Sequence, residues 1–156
     1  MSRSFSYRVR ELRLEDVHAV VEIGHAAFTG ETLPLLHQTW GEAEVLNNYT
    51  GEPEFCLVAE HDKHVIGFTL GALMVPDPAK RAARAYGWLL WIAVMDRYRK
   101  QGVAAKLADK LARRFKSAGA NFMLANSATE NMPAVNFFRN SGFRDETTHI
   151  YLIRPL

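Results

Sequence analysis

Apolar and polar residues change their spacing several times along the chain, and each change marks an element. Residues 6–13 alternate, with Tyr7, Val9 and Leu12 apolar, which predicts a half-exposed first strand. From residue 17 the spacing becomes helical: Val17, Val20, Val21, Ile23, Ala27 and Phe28 share a face, and Thr29-Gly30 ends it. Thr32 and Pro34 suggest a second helix start, carrying Leu35, Leu36, Trp40, Val45 and Leu46 and ending by residues 47–51. Two apolar runs, 55–59 and 64–75, joined by polar residues 60–63, predict a hairpin. Gly67 and Gly71 lie inside the second run, where glycine usually marks a bulge or close packing. Pro76-Asp77-Pro78 and the mostly basic residues 80–84 predict an exposed loop.

The organising stretch follows. Residues 88–95 are unbroken apolar sequence, Trp-Leu-Leu-Trp-Ile-Ala-Val-Met, which predicts a strand buried on both faces. The chain then turns through the basic, polar residues 96–101 and enters a helix at Gly102-Val103-Ala104. Backbone N–H groups at a helix start lack intrahelical partners, and the helix dipole adds partial positive charge there. Gly102 lets the backbone come close to a ligand, Ala104 keeps the next turn small, and Arg99 and Lys100 add full charges. This arrangement suits a phosphate or pyrophosphate. An ordinary strand-to-helix turn would also use a glycine for geometry.

Beyond Gly102, Val103, Leu107, Leu111 and Phe115 form a stripe at four-residue steps. Lys106, Lys110, Arg113, Arg114 and Lys116 lie mostly off it and read as a solvated face. Residues 121–125 predict the next strand and 133–139 a short helix ended by Gly142. Phe143 and residues 149–153 are expected to supply the closing strand or strands. No repeat or linker interrupts the order, so residues 1–156 are read as one domain.

Composition narrows the class. A chain of 156 residues can hold one sizeable core, and a net charge of +2 gives no argument for nucleic acid or a membrane surface. No apolar run is long enough to cross a bilayer, and the first residues lack the apolar core of a signal peptide. Cys56 is the single cysteine, which excludes an internal disulfide and a thiolate cluster. The histidines show no metal-ligand spacing, so no metal is expected. The expected setting is the cytoplasm.

Neither the nucleoside-triphosphate P-loop nor the Gly-x-Gly-x-x-Gly dinucleotide fingerprint is present. What stands instead is Arg99-Lys100-Gln101-Gly102-Val103-Ala104, preceded by Ile92-Ala93-Val94 and Tyr98. This resembles the Arg/Gln-x-x-Gly-x-Gly/Ala signature of the GNAT superfamily of acyl-CoA N-acyltransferases. Residues 131–143, from Asn131 through Ala134 and Phe138 to Gly142-Phe143, resemble that family's second segment, Asn-x-x-Ala-x-x-x-Tyr-x-x-x-Gly-Phe. The resemblance is specific over about residues 88–143. It implies an α/β fold of the α+β kind: a mixed, mostly antiparallel central sheet flanked by helices, whose central strands splay to admit acyl-CoA.

The resemblance also implies roles. Main-chain groups of Ile92, Ala93 and Val94 would hold the pantetheine arm as an added strand does. The Val94 N–H would face the thioester oxygen, where negative charge develops. Arg99, Lys100, Gln101, Gly102, Val103, Ala104 and Ala105 would cradle the pyrophosphate. Asn131 would bond the pantetheine, although it also suits a helix N-cap. Phe138 would lie beside the sulfur.

Phe138 also breaks the pattern, because the family's tyrosine there commonly protonates the leaving thiolate. Two carboxylate positions used as bases in family branches are Trp88 and Asn126 here. No acid or base is therefore carried over. Glu31, between the first two helices, and Tyr151, two residues from His149 on the last strand, are the candidate substitutes. Glu31 could equally be a helix N-terminal charge, and Tyr151 an edge-strand aromatic. Cys56 reads as a small core residue. The resulting expectation is acetyl transfer from acetyl-CoA to a primary amine in a ternary complex, the acceptor a small molecule. The alternatives are a protein N-terminal or lysine acetyltransferase and a catalytically weak acyl-CoA-binding module. A sheet edge left needing cover suggests a homodimer.

Overall fold

The computed structural model describes residues 5–77, 79–80 and 84–156. Five strands lie in sequence order across one sheet: β1 (Arg8–Glu11), β2 (Cys56–His61), β3 (His64–Met74), β4 (Tyr86–Val94) and β5 (Met123–Ala125). The first four pair antiparallel, whereas β5 runs parallel to β4. The sheet is therefore mixed and mostly antiparallel. The helices are α1 (Val17–Ala27), α2 (Glu42–Gly51), α3 (Val103–Ser117) and α4 (Met132–Asn140). The β2–β3 hairpin turns on Asp62 and Lys63 alone, both at positive φ (46° and 67°), as a tight two-residue turn requires.

A core lies on each face of the sheet. On one, α1 and α2 cover Phe68 and Trp91, with Phe28 and Trp40 wedged between; Trp40 stacks on Phe68 at 5.2 Å between centroids. The buried Trp40 indole is satisfied by the Val21 carbonyl at 3.0 Å. On the other, the α3 stripe Val103, Leu107, Leu111 and Phe115 packs on Leu57, Ile66 and Leu89. Gly87 is needed there, since a Cβ would stand 2.1 Å from the Phe115 ring.

The pairing of β3 with β4 contains the irregularity that positions the site. Leu70 faces Trp91 and Gly71 faces Leu89, leaving Leu90 as an extra residue. Such a bulge reverses the alternation. Gly87 and Leu89 accordingly face α3, while Trp91 and Ala93 face α1 and α2.

Four expectations are corrected. The central strand is not buried on both faces throughout: Trp88, Leu90 and Ile92 stay half-buried, because β5 pairs only with residues 87–89. The second helix is broken. Residues Leu36–Thr39 form a 3-10 turn and Trp40 is extended (φ −73°, ψ 131°), which turns its indole into the core before α2 starts. The basic face of α3 is not simply solvated, for Lys110 donates to the Val9 carbonyl at 2.9 Å and Arg114 pairs with Glu11. These bonds fasten α3 to β1. Finally, residues 143–156 form no strand, and Ile150, Tyr151, Leu152 and Ile153 are exposed. No backbone hydrogen bond from residues 144–156 reaches the sheet among the described residues, and an Arg139–Glu146 ion pair holds the segment's start beside the end of α4. The loop expected over 76–84 lies partly outside the described residues, which omit Pro78 and 81–83.

Candidate active site

The site begins where β4 and β5 part company. Their last partners are Leu89 and Ala125, but β4 runs on to Val94. Main-chain groups alternate between the two edges of a strand in an antiparallel ladder. The Met95 N–H bonds the Ile66 carbonyl at 2.9 Å on the β3 side, so the N–H groups of Ile92 and Val94 point the other way, into the gap. The Val94 carbonyl accepts from Arg99 Nε at 3.3 Å, and the same guanidinium reaches Asp96 at 3.1 Å. Arg99 thus braces the loop leading out of β4.

That loop ends in a concave run of N–H groups. Residues Asp96–Tyr98 make one 3-10 turn; Lys100 then takes φ +59° and Gly102 φ +80° before α3 begins. Alternating left-handed residues turn successive N–H groups toward one point, forming an anion-binding nest. The N–H groups of Gln101, Gly102, Val103, Ala104 and Ala105 donate to no acceptor among the described residues. The Lys100 side chain is exposed beside them. The Gln101 amide instead bonds the Arg97 carbonyl at 3.3 Å. Tyr7 lies close by, its hydroxyl 3.9 Å from where a Gly102 Cβ would stand, and Lys106 lies over its ring at 4.8 Å.

The far wall comes from α4 and the α1–α2 turn. Asn131 caps α4, its Oδ1 accepting the Ala134 N–H at 3.4 Å, while its Nδ2 makes a long 3.5 Å bond to the Thr32 carbonyl. One side chain thereby ties two segments together. Thr32 is itself fixed, because its hydroxyl donates to the Ala27 carbonyl at 3.0 Å and accepts the Thr29 N–H at 2.9 Å. Thr32 was not singled out from sequence, although Thr-x-x-Thr after a helix is a turn signal. Glu31 is the exposed residue beside it. Phe138 is half-buried against Phe137 and Phe143, with centroids 5.3 Å and 5.2 Å away. Trp88 Nε1 donates to Asn126 Oδ1 at 3.1 Å. The two positions where family branches carry a carboxylate therefore hydrogen-bond each other.

Tyr151 stands apart, 69% exposed in the unpaired segment. Cys56 is fully buried, and burial, with Glu52 and Glu54 adding to it, pushes its thiol up to about 12. It is neutral and inaccessible. Among the described residues no group of three His, Cys, Asp or Glu side chains is placed to hold a metal ion. Nor is any helix long and apolar enough to cross a membrane.

A model of the acetyltransferase (GNAT) family matches residues 18–143, which include the β4–α3 loop, the splay and α4. The chain belongs to the GNAT family. This GNAT chain is accordingly an acyltransferase of the N-acetyltransferase type. It is 27% identical over 148 residues to an N-alpha-acetyltransferase of Sulfurisphaera tokodaii, covering 89% of this chain and 81% of that protein. Its fold matches aminoglycoside N-acetyltransferase AAC(6')-Iy, solved in complex with CoA, at a TM-score of 0.74 and 16% identity, covering 100% and 99% of the two chains. It matches Ard1 from Thermoplasma volcanium at 0.71 and 22% identity, over 87% and 81%. At those identities the likeness to the solved GNAT structures is one of fold.

Proposed function

We propose that this GNAT chain transfers an acetyl group from acetyl-CoA directly to a primary amine, with a small molecule as acceptor. The observation that carries the reading is the unpaired edge of β4, which leads from the nest at residues 101–105 into the gap beside β5. A pantetheine arm needs such an edge, because its amides can pair with Ile92 and Val94 as an added strand would. A pyrophosphate needs the nest. Lys100 adds its charge there, and Arg99 acts by holding the loop in shape.

Ile92, Ala93, Val94, the 101–105 N–H groups, Asn131 and Phe138 form the cofactor side. Asn131 holds the gap's rim through Thr32 and turns its amide toward the pantetheine. In the reaction, the free amine attacks the thioester carbonyl, and the tetrahedral oxyanion forms near the Val94 N–H. Collapse breaks the carbon–sulfur bond and expels the thiolate. An alkyl ammonium has a pKa of about 10.4, so a proton must leave before attack. Glu31, exposed at the rim, is the group that would take it through water. Phe138 has no proton to give, and a thiol of pKa about 8.5 leaves unassisted. Cys56 is no acyl carrier, because its thiol stays protonated in the core.

The second reading, a protein N-terminal acetyltransferase, is favoured by the Sulfurisphaera tokodaii relative. Release of CoA measured over small primary amines and over peptides with free N-termini separates the two. Turnover of small amines without peptides supports the first; peptide turnover alone overturns it.

A further inference from the structure

Residues 147–153, Thr-Thr-His-Ile-Tyr-Leu-Ile, are β-branched or aromatic at nearly every position, a composition that suits a pleated strand. Yet they pair with nothing in this chain. Ile150 is 79% exposed, Leu152 87% and Ile153 70%, and no backbone hydrogen bond joins residues 144–156 to the sheet among the described residues. A contiguous apolar run held in water marks an interaction surface.

The sheet has one edge that matches it. At the β1 edge, Arg8 and Arg10 are bound to Glu60, and charge of this kind discourages further pairing. At the other edge β5 pairs only with β4, and Phe122 and Leu124 are exposed there. The Arg139–Glu146 ion pair keeps the segment's start at the end of α4 and not on β5. One free strand and one free apolar edge thus coexist in the same chain, unjoined.

We propose that residues 147–153 pair with the free β5 edge of a second copy of this chain, reciprocally, in a homodimer closed by strand exchange. A two-fold arrangement satisfies both strands and both edges at once and leaves no open end for further growth. Main-chain bonds along the added strand supply affinity, and the apolar side chains on alternate faces set the register. His149 and Tyr151 acquire fixed positions only in this dimer.

Because Cys56, the single native cysteine, is fully buried, engineered surface cysteines report cleanly. A Leu124→Cys chain is co-expressed with a differently tagged chain carrying cysteine at 150, 151, 152 or 153 in turn, then oxidised. The expected result is an interchain disulfide at one or two of these positions, and light scattering of the wild type at twice the mass of one chain. Ile150→Asp with Leu152→Asp is expected to give a folded monomer by circular dichroism, since neither side chain contributes to the core. The proposal is overturned by a monomeric wild type, by a dimer that survives both aspartates, or by absence of an interchain disulfide at all four positions. A disulfide forming only within a single chain carrying both cysteines would also overturn it, showing that the segment folds back on its own β5.

Discussion

Gly102 offers a way to separate a fold effect from a ligand effect. It starts α3 at φ +80°, a region where an L side chain costs about 1–2 kcal/mol. Space is not the obstacle, since the nearest atom to an added Cβ is the Tyr7 hydroxyl at 3.9 Å. Gly102→Ala should therefore fold, with a melting temperature lower by roughly 2–8 °C. To relieve the strain the backbone must rotate, and rotation turns N–H groups out of the nest. Losing one hydrogen bond to a charged pyrophosphate costs roughly 1.5–3 kcal/mol. That weakens CoA binding by about 10- to 100-fold. Gly119 is the control, at φ +93° just past the other end of α3, with nothing within 4 Å of an added Cβ. Gly119→Ala should lose similar stability and bind CoA as the wild type does. Calorimetric titration of CoA into all three proteins, beside thermal melts, makes the comparison. If Gly102→Ala binds CoA within about twofold of wild type, or Gly119→Ala weakens it equally, the nest does not hold the pyrophosphate.

Other consequences are equally direct. Phe138→Tyr supplies a phenol where the leaving thiolate should form and is expected to raise kcat at least about tenfold, within the roughly 10²–10⁴ available to a general acid; an unchanged kcat would place the sulfur elsewhere. Asp16 is nearly buried: burial alone would raise its carboxyl, but the Arg10 guanidinium and the Arg13 N–H together hold it below its ordinary value of 3.8. Its stabilisation is therefore full above about pH 4 and lost as pH falls through the lower folded value. Asp16→Asn should cost about 2–3 kcal/mol at pH 7 and flatten that acid dependence in urea melts. Gly87→Ala should cost about 3 kcal/mol by driving a methyl into the Phe115 ring, and Phe115→Leu in the same chain should recover part of it in denaturant titrations.

Legibility in the sequence followed local physics. The α3 stripe, the hairpin and the Gly102 turn are set by residues close in sequence, and periodicity displays them. The Leu90 bulge is not local. It depends on Gly71 and Gly87 admitting Phe115, so an apolar run of eight residues looked evenly buried when its alternation reverses midway. Trp40 likewise breaks a helical pattern because an aromatic core draws it inward. The site was legible where it is backbone and signature, at residues 92–94 and 101–105. It was opaque where side chains from distant segments meet, as Asn131 does Thr32 and Trp88 does Asn126. Residues 147–153 have a strand's composition, but composition does not say whose edge completes the ladder.

A crystal structure with acetyl-CoA bound tests the central claim most directly. A competing location exists: a groove of about 740 Å³ between β1 and α3, lined by Tyr7, Lys106, Lys110 and Arg114. Lys110 and Arg114 there already bond to Val9, Glu11 and Glu54, which favours the nest. The account predicts the pyrophosphate on the 101–105 N–H groups, the pantetheine paired with Ile92 and Val94, and the thioester carbonyl facing the Val94 N–H. Acetyl-CoA lying in the β1–α3 groove, with the gap beside β5 empty, would contradict it.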